Sequence, residues 1–292
     1  TETNHNYFAN NICVSNCHKA NAKSIKDILE RCWHCDYRFG VSGTMPKPDS
    51  ADFLTLQTYL GPLVTEVKAR ELQTSGYISN CDIIQIRMDY VSESKKEEFC
   101  NAYKLLMRQK NGTDAFNLEK NFIIENKKRF KFINDIICKT TKNTLVLFHR
   151  IVYGKKIYKY LKKHATNKRV YYIDGSIDKD VRKEIKDRMD KFDDVILVAS
   201  FATLSTGVSV NHIYNVVFTE SFKSPFVIIQ SIGRSLRLKD KNDKNKNHAT
   251  IIDLVDDFRY DKYTNYLYKH GLERMRLYKE QKYPVKIKKI KF

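Results

Sequence analysis

Short apolar runs alternate with amphipathic stretches between residues 144 and 254, and this alternation restricts the fold more than any other feature. The runs predicted to be strands are 144–148, 170–173, 195–199, 215–218 and 249–254. The helical patterns between them are 155–164, 179–191 and 225–236. Strands that alternate with helices form βαβ units, in which the strands run parallel. We therefore predict an α/β domain over residues 141–258, with a parallel sheet and helices on both faces.

The first 140 residues carry weaker patterns. In chain order we predict strand-like residues 1–16, a helix over 20–30, a strand over 36–42, a helix over 51–60, a strand over 82–90 and basic helices over 94–138. In the helix predicted over 51–60 the core candidates are Leu54, Leu56 and Leu60. In the strand predicted over 82–90 they are the alternating Ile84, Ile86 and Met88. The basic segment at 282–292 alternates with apolar residues, which indicates a surface strand or a nucleic-acid contact.

Charge points to the kind of partner. The chain has 53 Lys and Arg against 34 Asp and Glu, a net charge of +19. Such a surplus favours a polyanion, because phosphate contacts release counterions, so we predict nucleic-acid binding. No apolar run reaches the length of a membrane span, and we expect no membrane partner. Seven cysteines, an odd number, do not form a disulfide framework and favour a reducing cytoplasm.

One cysteine pair, Cys32 and Cys35 in CWHC, has a spacing seen in zinc sites. No second pair follows at the usual distance. We interpret the segment instead as the approach to a buried strand, and we predict no metal ligands in this chain.

The helix predicted over 225–236 contains QSIGRSLR, residues 230–237. Arg234 and Arg237 are three residues apart, so both guanidinium groups leave one helical face. A planar, permanently charged group suits a phosphoryl group that gains charge in a transition state, and Gly233 would let another backbone approach closely. Taken alone, the pattern also fits an ordinary basic helix face.

Three upstream segments give this helix its context: LVLFHR at 145–150, IDGS at 173–176 and VASFATLSTGVS at 198–209. In order and spacing they resemble the motifs of the C-terminal RecA-like domain of superfamily 2 helicases. Segment 145–150 resembles motif IV. The loop at 198–209 resembles motif V, and the helix that carries residues 230–237 resembles motif VI. Ser200, Gly207 and Ser209 match the Thr, Gly and Asp positions of motif V, with Ser209 departing from the commonest residue. Arg182 lies where the helix after the Asp-Gly turn often carries a basic residue.

The resemblance implies an ATP-dependent motor, most similar to the phage UvsW-type branch-migration and recombination helicases. Its nucleotide would be ATP with Mg²⁺, whose ligands we expect outside this chain, and DNA is favoured over RNA as the substrate, in the host cytoplasm if the gene belongs to a phage. The implied catalytic residues are Gln230, Arg234, Arg237 and His18. Coupling to ATP would involve Ser42, Gly43 and Thr44, which match motif III, together with Gly207 and Ser209. The implied nucleic-acid contacts are His149, Arg150, Ser200 and Thr203.

The front of the chain departs from this pattern. No Gly-x-x-x-x-Gly-Lys-Ser/Thr loop occurs in the sequence. Where an Asp-Glu-Cys-His motif II is expected, the chain has VSNCH at 14–18. One interpretation is a degenerate motif, and another is a chance strand.

A third interpretation accounts for more residues. HNYFANNICVSN at 5–16, followed by Cys17, resembles the C-terminal end of an intein, with Ser15 and Asn11 departing from the usual His and Gly. In that family Asn16 would cyclise and cleave the bond to Cys17, after the Cys17 thiolate has taken the acyl chain. His5 would give acid–base help.

Together these patterns predict five segments. They are an intein remnant (1–16), part of a first RecA-like domain (17–92), a helical linker (93–140), a second RecA-like domain (141–258) and a basic extension (259–292). The start at Thr1 suggests a processed or truncated chain with an upstream helicase and intein segment as its partner. Alone it should neither hydrolyse ATP nor splice. The alternative function is a non-catalytic nucleic-acid-binding relic of a helicase.

Overall fold

A computed structural model gives the fold of the chain. It describes residues 6–9, 12–16, 23–32, 34–35, 38–42, 45–46, 48–90, 93–109, 112–205, 212–221, 228–229, 231–233 and 248–291. The chain divides into two compact units, Thr1–Val67 and Lys68–Phe292.

The first unit contains a small sheet of three strands, β1 (Asn6–Ala9), β2 (Ile12–Asn16) and β3 (Arg38–Val41). β1 runs antiparallel to β2, and β2 runs parallel to β3. Two helices, α1 (Lys23–Arg31) and α2 (Ala51–Leu60), accompany the sheet. Within the residues that the structure describes, the predicted strands and helices of this region are therefore confirmed.

The core of the first unit is formed by Leu29, Cys32 and Leu56. Leu60 packs against this cluster, but Leu54 is 54% exposed, so its prediction as a core residue is wrong. The physical reason is the helical period: Leu56 and Leu60 are four residues apart on one face, whereas Leu54 lies on another. The hydroxyl of Ser50 accepts a hydrogen bond from the Phe53 amide at 3.2 Å and caps the start of α2.

The second unit is built on a seven-stranded sheet. Its strands are β4 (Asn80–Asp89), β5 (Thr144–Phe148), β6 (Arg169–Ile173), β7 (Val195–Ser200), β8 (Asn215–Phe218), β9 (His248–Asp257) and β10 (Val285–Lys291). They lie in the order β10-β4-β9-β8-β5-β7-β6, and every pairing is parallel. All residues of β5 and β7 are buried, as expected of strands that are covered on both faces.

Helices cover both faces of this sheet. They are α3 (Ala69–Thr74), α4 (Glu93–Arg108), α5 (Gly112–Glu125), α6 (Lys127–Lys139), α7 (Ile151–His164), α8 (Lys179–Lys191), α9 (Phe201–Ser205) and α10 (Tyr266–Glu280). Residues 228–229 and 231–233 are helical as well. Alternate residues of β5 enter two core clusters, Leu145 and Leu147 in one and Val146 and Phe148 in the other. The predicted parallel α/β fold with helices on both faces is confirmed.

The division into segments differs from the one predicted. β4 pairs along its whole length with β9, from Asn80 opposite His248 to Asp89 opposite Asp257, so it belongs to the second unit and not to the first. Residues 93–140 are not a linker, because Ile123 of α5 and Ile133 of α6 lie in the core of that unit. The last segment is no separate extension, since β10 adds to the same sheet beside β4. Local periodicity identifies a strand but does not identify its partner.

A buried ion pair fastens α10 to the sheet. The guanidinium of Arg274 lies 2.8 Å from the Asp253 carboxylate of β9, and both side chains are almost completely buried. The Asp253 carboxylate also accepts hydrogen bonds from Gln85 of β4 at 3.1 Å and from the Tyr278 hydroxyl at 3.2 Å. This carboxylate of β9 thus connects β4 and α10.

Candidate functional site

The topology brings several predicted site segments to one edge of the second sheet. His149 follows β5, Asp174 follows β6, Ser200 ends β7 and Glu220 lies just after β8. Because the strands are parallel, their carboxyl ends meet at the same edge. In open α/β sheets ligands bind outside the carboxyl ends of the strands. This edge is therefore the candidate functional site of the second unit.

Glu220 fixes the loop that follows β5. Its Oε1 accepts hydrogen bonds from the backbone amides of His149 at 2.7 Å and Arg150 at 3.1 Å. The residue is only 2% exposed, and its second oxygen, Oε2, is buried without a hydrogen-bond partner among the described residues. Glu220 was not predicted from the sequence, where its signal is an acidic residue two positions after the buried end of β8.

The side chain of Arg150 reaches helix α5. Its Nη1 donates to the Asn121 carbonyl oxygen Oδ1 at 2.6 Å. Next to Asn121, burial lowers the pKa of the Lys120 ammonium, the positive charge of Arg150 lowers it further, and Glu220 acts in the opposite direction. Two cations therefore lie close to one carboxylate at this edge of the sheet.

The turn after β6 is held by side-chain hydrogen bonds. The Asp174 carboxylate accepts from the Ser176 amide at 2.9 Å, the Ser176 hydroxyl at 2.5 Å and the Tyr172 hydroxyl at 2.9 Å. Burial acts to raise the pKa of Asp174, but these hydrogen bonds lower it below its usual value. The Arg182 guanidinium donates to the carbonyls of Asp174 and Gly175 at 3.3 and 3.2 Å, so this predicted basic residue stabilises the turn.

Ser200 and Thr203 interact with each other. Their hydroxyls are 2.7 Å apart, and the Ser200 oxygen also accepts from the Thr203 amide at 3.3 Å. Both residues are buried, at 6% and 2% exposure. The two hydroxyls thus stabilise the start of α9, and their predicted contact with nucleic acid stays a prediction. Gly207 and Ser209 of the same loop lie outside the described residues.

The helix of the arginine motif is described only in part. Ile228 and Ile232 are buried in the core of the second unit, which fixes one face of this helix. Gly233 is exposed, and a Cβ built on it would meet no heavy atom within 4 Å, so the space beside it is open. Gln230, Arg234 and Arg237 lie outside the described residues.

In the first unit, β2 and β3 end side by side. Asn16 is the register partner of Val41, so the residues that follow each strand leave the same edge of this sheet. Ser42 comes directly after β3, and its assignment to motif III stays a prediction. His5, Cys17, His18, Gly43 and Thr44 lie outside the described residues.

Two further findings concern metals and membranes. Within the ranges that the structure describes, no group of three or more His, Cys, Asp or Glu side chains could hold a metal ion. In the same ranges, neither Cys32 nor Cys35 is part of a disulfide bond. No described helix is long and apolar enough to cross a membrane.

Part of the sequence resembles a known family of domains. Residues 128–239 match the family model of the helicase conserved C-terminal domain. The all-parallel seven-stranded sheet is the RecA-like fold of superfamily 2 helicases. The match covers β5 to β8, whose carboxyl ends form the candidate site.

Individual proteins resemble the chain as well. The chain is distantly homologous to the ATP-dependent DNA helicase uvsW of Enterobacteria phage T4, with 29% identity over 280 residues, 91% of this chain and 52% of the relative. The crystal structure of T4 UvsW superimposes with a TM-score of 0.56 at 26% identity, over 95% of this chain and 53% of that one. The ATP-dependent Type ISP restriction-modification enzyme LlaBIII bound to DNA gives a TM-score of 0.62 at 11% identity, over 98% and 22% of the two chains, and shows the fold alone. This chain thus spans about half the length of the T4 helicase.

Proposed function

We propose that this chain is the C-terminal motor part of an ATP-dependent DNA helicase or translocase that acts in recombination, repair or branch migration. The observation that carries the proposal is the match of residues 128–239 to the helicase C-terminal domain, in a fold that places the matching strand ends at one edge. The uvsW relative, named an ATP-dependent DNA helicase, supports DNA as the substrate. The net charge of +19 supports a polyanionic partner.

Arg234 and Arg237 would act on ATP as arginine fingers, together with Gln230 of the same sequence motif. A guanidinium that contacts the γ-phosphate stabilises the charge that develops as the phosphoryl group leaves. Gly207 and Ser209 would couple this site to the strand of nucleic acid. The phosphate-binding loop and the Mg²⁺ ligands would come from outside this chain.

His149 and Arg150 would contact the nucleic-acid backbone at the carboxyl edge of the second sheet, near Ser200 and Thr203. In the first unit, Ser42, Gly43 and Thr44 would take the part of motif III, and His18 would be the last residue of motif II. DNA binding by His149 and Arg150 would be separable from ATP hydrolysis, because hydrolysis would require Arg234 and Arg237.

The test is DNA-stimulated ATP hydrolysis by the full-length gene product. Arg234→Ala should lower kcat by about 10³-fold or more, the contribution of an arginine finger, while DNA affinity without nucleotide stays the same. The matched control is Arg188→Ala, because Arg188 is an exposed arginine paired with Glu184 on α8. Wild-type protein that binds DNA but hydrolyses no ATP would support the non-catalytic alternative instead.

We propose a second function for residues 1–16, the C-terminal end of an intein. The observation that favours it is the β1–β2 hairpin, in which Ala9 is the register partner of Ile12 and only two residues connect the strands. β2 ends at Asn16, the residue that would cyclise. Its side-chain amide nitrogen attacks its own backbone carbonyl, the peptide bond to Cys17 breaks, and the amine of Cys17 leaves. By then Cys17 would have received the upstream acyl chain, and His5 would supply acid–base catalysis.

Mass spectrometry of the full gene product tests this second function. A ligated product in which Cys17 follows the upstream helicase sequence is expected, and Asn16→Ala should abolish it. Ser15→His, which restores the usual residue of the family, should accelerate it. Mature protein that retains residues 1–16 would contradict the proposal.

A further inference from the structure

We propose that helix α5 extends the nucleic-acid interface, with Lys120 and Arg150 holding one backbone phosphate between them and Asn121 orienting Arg150. The inference rests on the proposed function, because it requires a nucleic-acid substrate. Helix α5 ends at Glu125 and therefore lies outside the residues that match the helicase domain.

Arg150 is fixed at two points. Its backbone amide donates to the buried Glu220 carboxylate at 3.1 Å, and its Nη1 donates to Asn121 at 2.6 Å. A guanidinium has five N–H donors in a rigid fork, so donors remain after the Asn121 bond. Within the described part of the chain, no carboxylate forms an ion pair with this guanidinium. An oriented cation with unused donors is suited to a phosphate oxygen.

Lys120 provides the second cation. Its ammonium lies over the Phe116 ring, 5.2 Å from the centroid, and the side chain is half-buried. It too forms no ion pair with any carboxylate that the structure describes. The lowered pKa of Lys120 reflects burial first and then repulsion from Arg150. An anion bound to both cations would remove this repulsion.

Glu220 is not the anion that binds the Lys120 and Arg150 side chains. Its Oε1 is occupied by the two backbone amides, and the carboxylate is almost completely buried. It supplies negative charge from below the surface and anchors the loop. A phosphate group, with two unesterified oxygens, can contact the two cations from the solvent side.

The neighbouring surface favours a polymer over a free anion. Ile151 and Val152, on the first turn of α7, are 50% and 68% exposed. Apolar side chains beside a phosphate site offer contact area to sugars and bases, which free phosphate lacks. Single-stranded nucleic acid, with its accessible bases, is the ligand that uses both parts of this surface.

Binding of a fluorescent single-stranded DNA oligonucleotide across a KCl series tests the inference. Lys120→Gln should weaken binding roughly two- to fivefold, the effect of one exposed ion pair. It should also reduce the slope of log K against log salt by about 0.7, the value for one phosphate contact on a single strand. The control is Lys163→Gln, because this exposed lysine lies near the far end of α7, about 20 Å by helical rise from the end that follows Arg150.

Two further variants separate a phosphate site from general charge. Lys120→Arg should restore both the affinity and the slope. The double variant Lys120→Gln with Arg150→Gln should lose less affinity than the product of the single losses, since both residues contact one phosphate.

The outcomes distinguish this inference from the proposed function. If the wild type binds DNA normally and Lys120→Gln changes neither the affinity nor the salt slope, the role of α5 would be overturned. The proposed function would stand. Equal effects of Lys120→Gln and Lys163→Gln would overturn the role of α5 as well, because they would indicate unspecific electrostatics. A wild-type protein that does not bind DNA at all would overturn the proposed function.

Discussion

The guanidinium of Arg129 and the carboxylate of Asp256 form a salt bridge in which both side chains are completely buried, with Nε 2.7 Å from Oδ1. The pair joins α6 to β9, 127 residues further along the chain. Arg129 also donates to the Thr219 carbonyl at 2.9 Å and to the Tyr153 hydroxyl at 3.0 Å. Burial acts to lower the pKa of the Arg129 guanidinium, but Asp256 together with Tyr153 and Tyr90 outweighs burial, and the net pKa is raised.

Arg129→Met should reduce the free energy of unfolding by about 3–5 kcal/mol, because it leaves the Asp256 carboxylate buried and unpaired. Adding Asp256→Leu should recover part of this loss, because no unpaired charge remains buried, although the Tyr90 and Tyr153 hydroxyls and the Thr219 carbonyl lose these hydrogen bonds. Urea denaturation measures both variants. Arg169→Met is the control: it breaks an exposed pair with Asp194 and should cost less than about 1 kcal/mol. A cost for Arg129→Met as small as that of the control would contradict the prediction.

Gly154→Ala should destabilise the second unit by about 1–3 kcal/mol through overpacking. A Cβ at position 154 would lie 2.6 Å from ring atoms of Phe148, a completely buried side chain at the end of β5. At a solvent-exposed helix position, Gly→Ala would raise the free energy of unfolding by about 1 kcal/mol. A decrease at position 154 would therefore indicate the close contact with Phe148.

Thermal unfolding followed by circular dichroism gives the result for Gly154→Ala. Gly175→Ala is its control, because a Cβ there would meet no heavy atom within 4 Å. An increase of the melting temperature in Gly154→Ala would show that α7 does not approach Phe148 this closely.

Glu119 makes the stability of the second unit depend on pH. Burial raises the pKa of this carboxyl above its usual 4.5, although it accepts hydrogen bonds from the Tyr266 and Leu267 amides and the Tyr263 hydroxyl. The folded protein therefore holds this proton more tightly than the unfolded chain. The contribution to stability is present in full below pH 4.5 and is lost as the pH rises through the folded-state pKa.

The measurement compares wild type with Glu119→Gln, which cannot titrate, by urea denaturation between about pH 4.5 and 8. The wild type should lose free energy of unfolding relative to the variant as the pH rises. The opposite trend, or a difference that does not change with pH, would show that the buried carboxyl ionises as easily as in the unfolded chain.

Ile290 and Ile287 of β10 offer a matched pair on one strand. Ile290 packs against the core cluster that contains Phe148, whereas Ile287 is 49% exposed. Ile290→Ala should lower the free energy of unfolding by roughly 1–2 kcal/mol, in proportion to its partial burial. Ile287→Ala should stay within about 0.5 kcal/mol. Equal effects in urea denaturation would contradict the pairing of β10 with β4.

How far the sequence predicts this fold depends on the range of the interaction. The five strands from 144 to 254 follow from apolar runs, and the structure has all of them. β4 shows the limit: Ile84, Ile86 and Met88 alternate as predicted, but Cys81 and Ile83 on the other face are buried too. Cys81 and Ile83 lie in the core cluster that also contains Tyr278 and Tyr283, which come much later in the chain, and no local period reveals this packing.

Buried charge is the other limit. Arg129 stands in a run of basic residues, Lys127 to Lys131, that the sequence presents as a solvated helix face. Its burial depends on Asp256 and on the Thr219 carbonyl, which approach only in the folded state. Glu220 was missed for the same reason, since its partners are backbone amides of a loop some 70 residues earlier. At the candidate site the sequence identified His149 and Arg150, but not the groups that hold them.

The position of β4 in the sheet affects the folding of this unit during synthesis. β4 is made early, yet both of its neighbours come much later, since β9 begins at His248 and β10 at Val285. At a synthesis rate of about 5–20 residues per second, the stretch between Asp89 and His248 takes roughly 10–30 s. Throughout that time β4, a ten-residue strand rich in apolar side chains, lacks both of the strands with which it pairs in the folded sheet. This unit is therefore expected to depend on chaperones on the ribosome, and a ribosome paused within that stretch would prolong the exposure of β4 to aggregation.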